Sequence, residues 1–352
     1  MKRFHCSRCG HEVYFDSARC VGCGAWLGFE PGALTMLSAA AEFDDVTDPA
    51  ALRWEFGGST FMACSNRGLS ECNWLVREGA PELCVASRHN AVIPDLSDAA
   101  ARLLWVRLEA AKRQLFYQLI RWDLPRPTKA EDPERGLAFA FLADTVHPDG
   151  TVENVLTGHA GGLITLAIKE GDDAEREVRR TALGEPFRTL IGHFRHEVAH
   201  YYWDRLVADG SDDTRDKVRA IFGDERADYG AALERHYADG PRPDWRDHFI
   251  SSYAAAHPWE DFAETFAHYA HLVDGLETAS AFELAADHAL GLDPYVAGTS
   301  DELLSAWIPL TLAVNALNRS MGQPDLYPFV VPAPVRAKLA LVHELVRTLS
   351  VQ

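Results

Sequence analysis

No stretch of this 352-residue chain approaches the ~18 consecutive apolar residues of a membrane-crossing helix, so no helical membrane anchor is expected. Nor does an apolar leader precede the first cysteines, which argues against secretion and for a reducing cytoplasm, where free thiols persist. Positive charge is scarce. Lys and Arg number 34 against 52 Asp and Glu, a net charge of −18, which argues against a nucleic-acid backbone or an anionic membrane as the main partner. Beyond two short cysteine motifs there is no internal repeat, and no low-complexity tract. Apolar residues make up 47% of the chain, enough to bury a core. The length exceeds what one core usually spans, so a small metal-stapled N-terminal unit and one larger domain are expected.

The seven cysteines all lie in the first quarter of the chain. Cys6-Ser7-Arg8-Cys9 and Cys20-Val21-Gly22-Cys23 are two Cys-x2-Cys knuckles with the spacing of a zinc ribbon, and Gly10 and Gly22 suit the tight turns that aim sulfur at a metal. Four thiolates close the coordination sphere, so such a zinc is structural. Lys2, Arg3, Arg8 and Arg19 exceed Glu12 and Asp16 there, a slight local basic excess that leaves room for weak docking of nucleic acid or of an acidic protein partner. Cys64, Cys72 and Cys84 follow; free Cys packs like a small apolar residue, so these read either as buried thiols or as ligands.

His196-Glu197-Val198-Ala199-His200 is an HExxH motif inside the helix-like run Arg188 to Val207. Positions i and i+4 share a helix face, so two imidazoles can reach one Zn²⁺ while Glu197 serves as base toward a zinc-activated water. A catalytic zinc needs three protein ligands and one open position. Pro258-Trp259-Glu260-Asp261 starts a second helix with acidic residues at its positive end, and Glu260 is the expected third ligand, the competing reading being a solvated acidic face. Glu264, one turn on, can hold a ligand imidazole in its tautomer. Tyr253 is a candidate oxyanion donor, or else a packed loop tyrosine.

Glu260 to Phe266 reads ExxAExF, with a Tyr seven residues before its first Glu. This resembles the gluzincin metallopeptidases, including the catalytic domain of anthrax lethal factor. The resemblance implies His196, His200 and Glu260 as zinc ligands, Glu197 as base and Tyr253 as stabiliser. A wider resemblance rests on the knuckles, Cys72-Asn73-Trp74-Leu75-Val76, Ala111-Lys112-Arg113, Arg195 to Trp203, His257-Pro258-Trp259-Glu260 and Asn315 to Phe329. These look like a bacterial family of zinc-ribbon-containing zinc-binding metallopeptidases, which implies a zincin fold and a peptidase. Family members tend to carry Cys-x2-Cys where this chain has Cys84-Val85-Ala86-Ser87, so one ligand is missing; His89 could replace it in a second structural zinc of Cys₃His type.

The expected architecture is α+β: a zinc ribbon over residues 1–30, a cysteine-containing segment with a long helix over 31–125, and a mostly helical zincin-like domain with a small sheet over 126–352. Ala33 to Ala41 reads as helix or linker. Ser97 or Asp98 caps a helix through Ile120 with Leu103, Leu104, Leu108, Leu115 and Leu119 on one face; Lys112 and Arg113 read as solvated or paired. Leu137 to Leu142 and Leu163 to Ile168 read as strands, the second as a sheet edge able to pair with substrate. Asp224 to Tyr229 reads as a solvated charged turn before a set of ligands or a substrate clamp, His268 and His271 as core-lining before metal-binding, and Val335 to Leu349 as a closing helix. A metzincin site is excluded because Leu206 stands where its third His belongs. The function expected is zinc-dependent hydrolysis of peptide or peptide-like amide bonds in a peptide or protein substrate. The alternative is a non-catalytic adaptor that keeps ribbon and zincin fold as a scaffold.

Overall fold

The computed structural model describes residues 1–39, 51–183, 189–284, 291–327 and 330–349. The chain divides into two compact units, one of Arg3–Ile120 with Arg126–Val178, the other of Met1–Lys2, Arg121–Pro125 and Arg179–Gln352. Residues 126–178 therefore group with the cysteine-bearing segment, unlike a division at residues 30 and 125.

The first unit starts with short antiparallel pairs. Strands β1 (Phe4–His5) and β2 (Glu12–Val13) carry the first knuckle between them, and β3 (Leu27–Glu30) pairs with β4 (Thr35–Ser38). Within the alanine-rich run from Ala33, Thr35–Ser38 is thus strand rather than helix, because pairing with β3 outweighs helix propensity; residues 40 and 41 lie outside the described residues. A three-stranded sheet follows, β5 (Arg53–Phe56), β6 (Ser59–Ala63) and β7 (Leu75–Arg77), with the one-turn helix α1 (Arg67–Ser70) between its last two strands. Gly28 is where β3 meets β7: a Cβ there would lie 2.3 Å from Leu75 Cδ2.

Strand β8 (Asn90–Val92) leads to α2 (Ala99–Arg121), whose first turn is capped by Asp98 accepting the Ala100 N–H at 2.8 Å. Leu108, Leu115 and Leu119 are buried with Trp105, Phe116 and Tyr117, whereas Leu103 is exposed. Lys112 is fully buried, ion-paired with Glu109 and bonded to Asn90, and Arg113 is buried as well; neither is solvated. Strands β9 (Ala138–Leu142), β10 (Thr145–Val146), β11 (Val152–Glu153), β12 (Gly158–Ala160) and β13 (Leu163–Ala167) complete the unit, and α3 (Asp173–Leu183) runs on from it. The four-stranded sheet has the order β12-β13-β9-β8, with β13 parallel to β9 and antiparallel to β12. The expected edge strand is therefore interior. Both of its hydrogen-bonding sides are taken, and strand addition there is ruled out.

The second unit is helical: α4 (Leu190–Trp203), α5 (Asp212–Phe222), α6 (Tyr229–Asp239), α7 (Trp245–His248), α8 (Pro258–Ala281), α9 (Ser300–Ser320) and α10 (Ala333–Leu349). Its core is aromatic. Trp203 meets Phe262 edge-on at 4.9 Å and Tyr202 stacks on Phe266, which locks α4 against α8; Trp122 stacks on Tyr269 of α8. α9 crosses α8 at Gly275, where a Cβ would lie 2.6 Å from the Trp307 ring. α10 adds two polar ties to α8: Tyr269 Oη lies 2.9 Å from His343 Nδ1, and Lys338 Nζ lies 2.6 Å from buried Asp261. The fold is α+β as expected, small sheets followed by a helical unit. No helix among the described residues is long and apolar enough to cross a membrane.

Candidate metal centres

Local signals start both helices of the histidine and carboxylate cluster. Thr189 precedes α4 in an extended conformation, and its hydroxyl accepts the Gly192 N–H at 3.0 Å, an N-cap. His196 and His200 then project from one face. α8 begins at Pro258, and the His257 ring accepts the Trp259 N–H at 3.1 Å through Nδ1. That leaves His257 Nε2 as the donor to the Ala227 carbonyl at 3.1 Å and holds the segment that enters α8.

Three atoms converge where α4 faces α8. His196 Nε2 and His200 Nε2 are 3.2 Å apart, and Glu260 Oε2 lies 3.0 Å from the first and 3.6 Å from the second. Ligand bonds of ~2.0–2.1 Å to one tetrahedral ion would set such atoms about 3.3–3.4 Å apart. The three separations bracket that edge. Two imidazole lone pairs and a carboxylate brought this close in a buried setting repel one another unless a cation lies among them, so the donor set fits zinc. Protons can play that part in the metal-free chain: burial alone would lower His196, but Glu260 and Glu264 more than offset it and hold the imidazole well above its ordinary range. Burial likewise acts to raise Glu260, yet the adjacent histidines hold it well below the usual carboxylate range.

The surrounding groups fix this arrangement. Glu264 Oε1 lies 2.7 Å from His196 Nδ1, and Ser251 Oγ donates to Glu264 Oε2 at 2.6 Å while accepting the Ala254 N–H. With a metal at Nε2, the imidazole would keep its proton on Nδ1, facing Glu264, and Nε2 is turned toward the cluster. The His200 ring lies on Trp259, centroids 3.8 Å apart. Glu197 is buried, and its Oε2 has no hydrogen-bond partner among the described residues. The Tyr253 ring lies 5.9 Å from that of His196; burial first, then the charge of Glu260, pushes its phenol far up, so it remains an O–H donor.

One residue escaped the sequence reading. Tyr229 belongs to a run read as a solvated charged turn, and Asp224 and Glu225 do pair with Arg226 and Arg219 there. Asp228, however, caps α6, and the first residue of that helix, Tyr229, donates its phenol to Glu260 Oε1 at 2.8 Å. Nothing in a spacing of 31 residues signals that contact. His268 and His271 are not in the cluster; His268 bonds Tyr327, and Arg195 approaches His271 Nδ1 at 2.5 Å.

The cysteines form two further groups. Cys6, Cys9, Cys20 and Cys23 gather, with Sγ separations of 3.7 Å for Cys6 and Cys23 and 3.6 Å for Cys9 and Cys20, close to the ~3.8 Å edge set by Zn–S bonds of ~2.3 Å. Gly10 and Gly24 take the left-handed turns, at φ 73° and 72°. Gly22 has another role: a Cβ there would lie 2.9 Å from the His11 ring. Cys64, Cys72 and Cys84 form the other group, all buried. His89 does not join them; its Nδ1 lies 2.7 Å from the Leu137 carbonyl and its ring packs on Phe116.

Residues 101–345 match the family described as "Putative zinc-binding metallo-peptidase", and residues 3–98 match a zinc-ribbon domain family. Proteins of Mycobacterium tuberculosis and Mycobacterium bovis, both named as uncharacterized, are 41% identical over 348 residues, covering 98% of this chain and 95% of theirs. No solved structure matches the chain.

Proposed function

Because the chain belongs to that metallopeptidase family, we propose that it hydrolyses peptide or peptide-like amide bonds at the cluster of His196, His200 and Glu260. The observation that carries this reading is the tetrahedral spacing of those three ligand atoms beside a buried carboxylate, Glu197, with an oxygen free to accept a proton. Zinc held there would act as a Lewis acid, acidifying water and polarising the substrate carbonyl.

The chain's own groups do the rest. Glu197 takes the proton of the attacking water and delivers it to the leaving amine. Tyr253, still protonated, donates to the oxygen that becomes negative as the carbonyl is attacked. Tyr229 occupies the second oxygen of Glu260, so that Oε2 alone is offered to the metal, and Glu264 with Ser251 sets the His196 tautomer. Trp259 covers one face of His200 and keeps bulk water from it.

Replacing Glu197 by Gln keeps size and shape but removes the base. Hydrolysis of a peptide library should fall by roughly 10²- to 10⁴-fold with zinc content unchanged. Hydrolysis at the wild-type rate would refute the assignment, and no hydrolysis by the zinc-loaded wild type would favour a scaffold role.

A further inference from the structure

The second cysteine group repeats a turn used twice before. In both knuckles the N–H four residues on returns to the carbonyl of the leading cysteine: Gly10 to Cys6 at 2.9 Å and Gly24 to Cys20 at 2.7 Å. Arg88 returns to Cys84 in the same way at 3.0 Å. The knuckles place a cysteine three residues after the first, Cys9 and Cys23; the third copy places Ser87.

Ser87 is fully buried, and its Oγ faces the thiols, 3.4 Å from Cys84 Sγ and 3.6 Å from Cys64 Sγ. Cys72 Sγ and Cys84 Sγ are 3.7 Å apart. A tetrahedral zinc with Zn–S of ~2.3 Å and Zn–O of ~2.0–2.2 Å requires about 3.8 Å between sulfurs and about 3.5–3.6 Å from sulfur to oxygen. Both kinds of edge are present. The Cys84 N–H points to Cys64 Sγ at 3.3 Å and the Ser87 N–H to Cys84 Sγ at 3.4 Å, an arrangement that favours thiolates.

Charge agrees with a serine. Three thiolates on a dication leave one negative charge, and a buried charge needs a counter-charge. Arg67 supplies one: it is buried, within electrostatic reach of Cys72 and Cys64, and bonded through Nη2 to the uncharged carbonyls of Ala18 and Leu27. A fourth thiolate would leave one negative charge unbalanced by it.

We propose that Cys64, Cys72, Cys84 and Ser87 form a structural zinc site with three sulfur donors and one hydroxyl oxygen. Ser87 stands where a fourth cysteine would, and His89 takes no part. The proposal is independent of the peptidase reading.

The test is cadmium-113 NMR of the full chain loaded with cadmium, because the resonance moves upfield as sulfur donors are replaced by oxygen or nitrogen. Two sulfur-rich signals are expected, one at the all-sulfur position and one upfield of it. Ser87→Cys should bring the second to the all-sulfur position, and Cys72→Ser should remove one metal equivalent. A single sulfur-rich signal from the wild type would overturn the proposal. So would a second signal that responds to His89→Ala and not to Ser87→Cys. The histidine and carboxylate cluster, having no sulfur, reports in a separate region, so its failure is read independently.

Discussion

Tyr229→Phe removes one oxygen from the second unit and leaves the ring in place against His257 and Trp259. The lost group donates at 2.8 Å to Glu260 Oε1, and Glu260 is 1% exposed, so water cannot readily replace it. A hydrogen bond to a charged group contributes roughly 1.5–3 kcal/mol, and losing a bond that orients a ligand typically costs about 10–100-fold in metal affinity. Zinc at the histidine cluster should therefore bind about 10–100-fold more weakly, measured by competition with a chromophoric chelator. The cysteine-bound zinc serves as an internal control. A dissociation constant within about twofold of wild type in a folded variant would show that Tyr229 does not position Glu260.

Glu260→Ala should remove zinc from the histidine cluster, whereas Glu264→Ala should weaken it by about 10–100-fold, as for the loss of an orienting partner; the reverse ranking, read by metal analysis, would mean that the wrong carboxylate was chosen as ligand. His268 gives a pH prediction. Burial, only partly offset by Glu264, lowers it to about 4, against ~6.5 in an unfolded chain. Below pH 6.5 the unfolded state takes up a proton that the folded state refuses, so this stability is complete above 6.5 and lost as pH falls toward 4. The loss reaches about 3 kcal/mol by linkage. Denaturant titrations across that range should show a shallower pH slope for His268→Gln than for wild type, and equal slopes would contradict the assignment.

What was legible in the sequence was local. The HExxH helix, its i, i+4 face, the proline start of α8 and the two knuckles are each written within a few consecutive residues, and Glu264 follows from one more helical turn. What was hidden depends on partners distant in sequence. Tyr229 reaches Glu260 only because α6 and α8 meet. Whether β13 is an edge or an interior strand depends on its neighbours, not on its own apolar alternation. Lys112 reads as solvated or paired, and only the approach of Glu109 and Asn90 decides for the pair and buries it. The alanine-rich run before residue 40 reads as helix or linker, yet Thr35–Ser38 forms a strand because β3 lies alongside. His89 was the natural substitute by residue type, but the turn after Cys84 directs Ser87 inward and leaves His89 to Leu137.

The pairing of Lys338 with Asp261 bears on how the molecule is made. Asp261 adjoins Glu260 in α8, is fully buried, and meets its cation from α10, 77 residues further along the chain. A ribosome has released every sulfur donor, through Cys84, and Ser87 long before it reaches Lys338. The two sulfur sites can thus load metal while synthesis continues. The histidine centre closes around a neighbouring carboxylate that lacks its counter-charge until the last helix emerges, which makes it the late step of biogenesis.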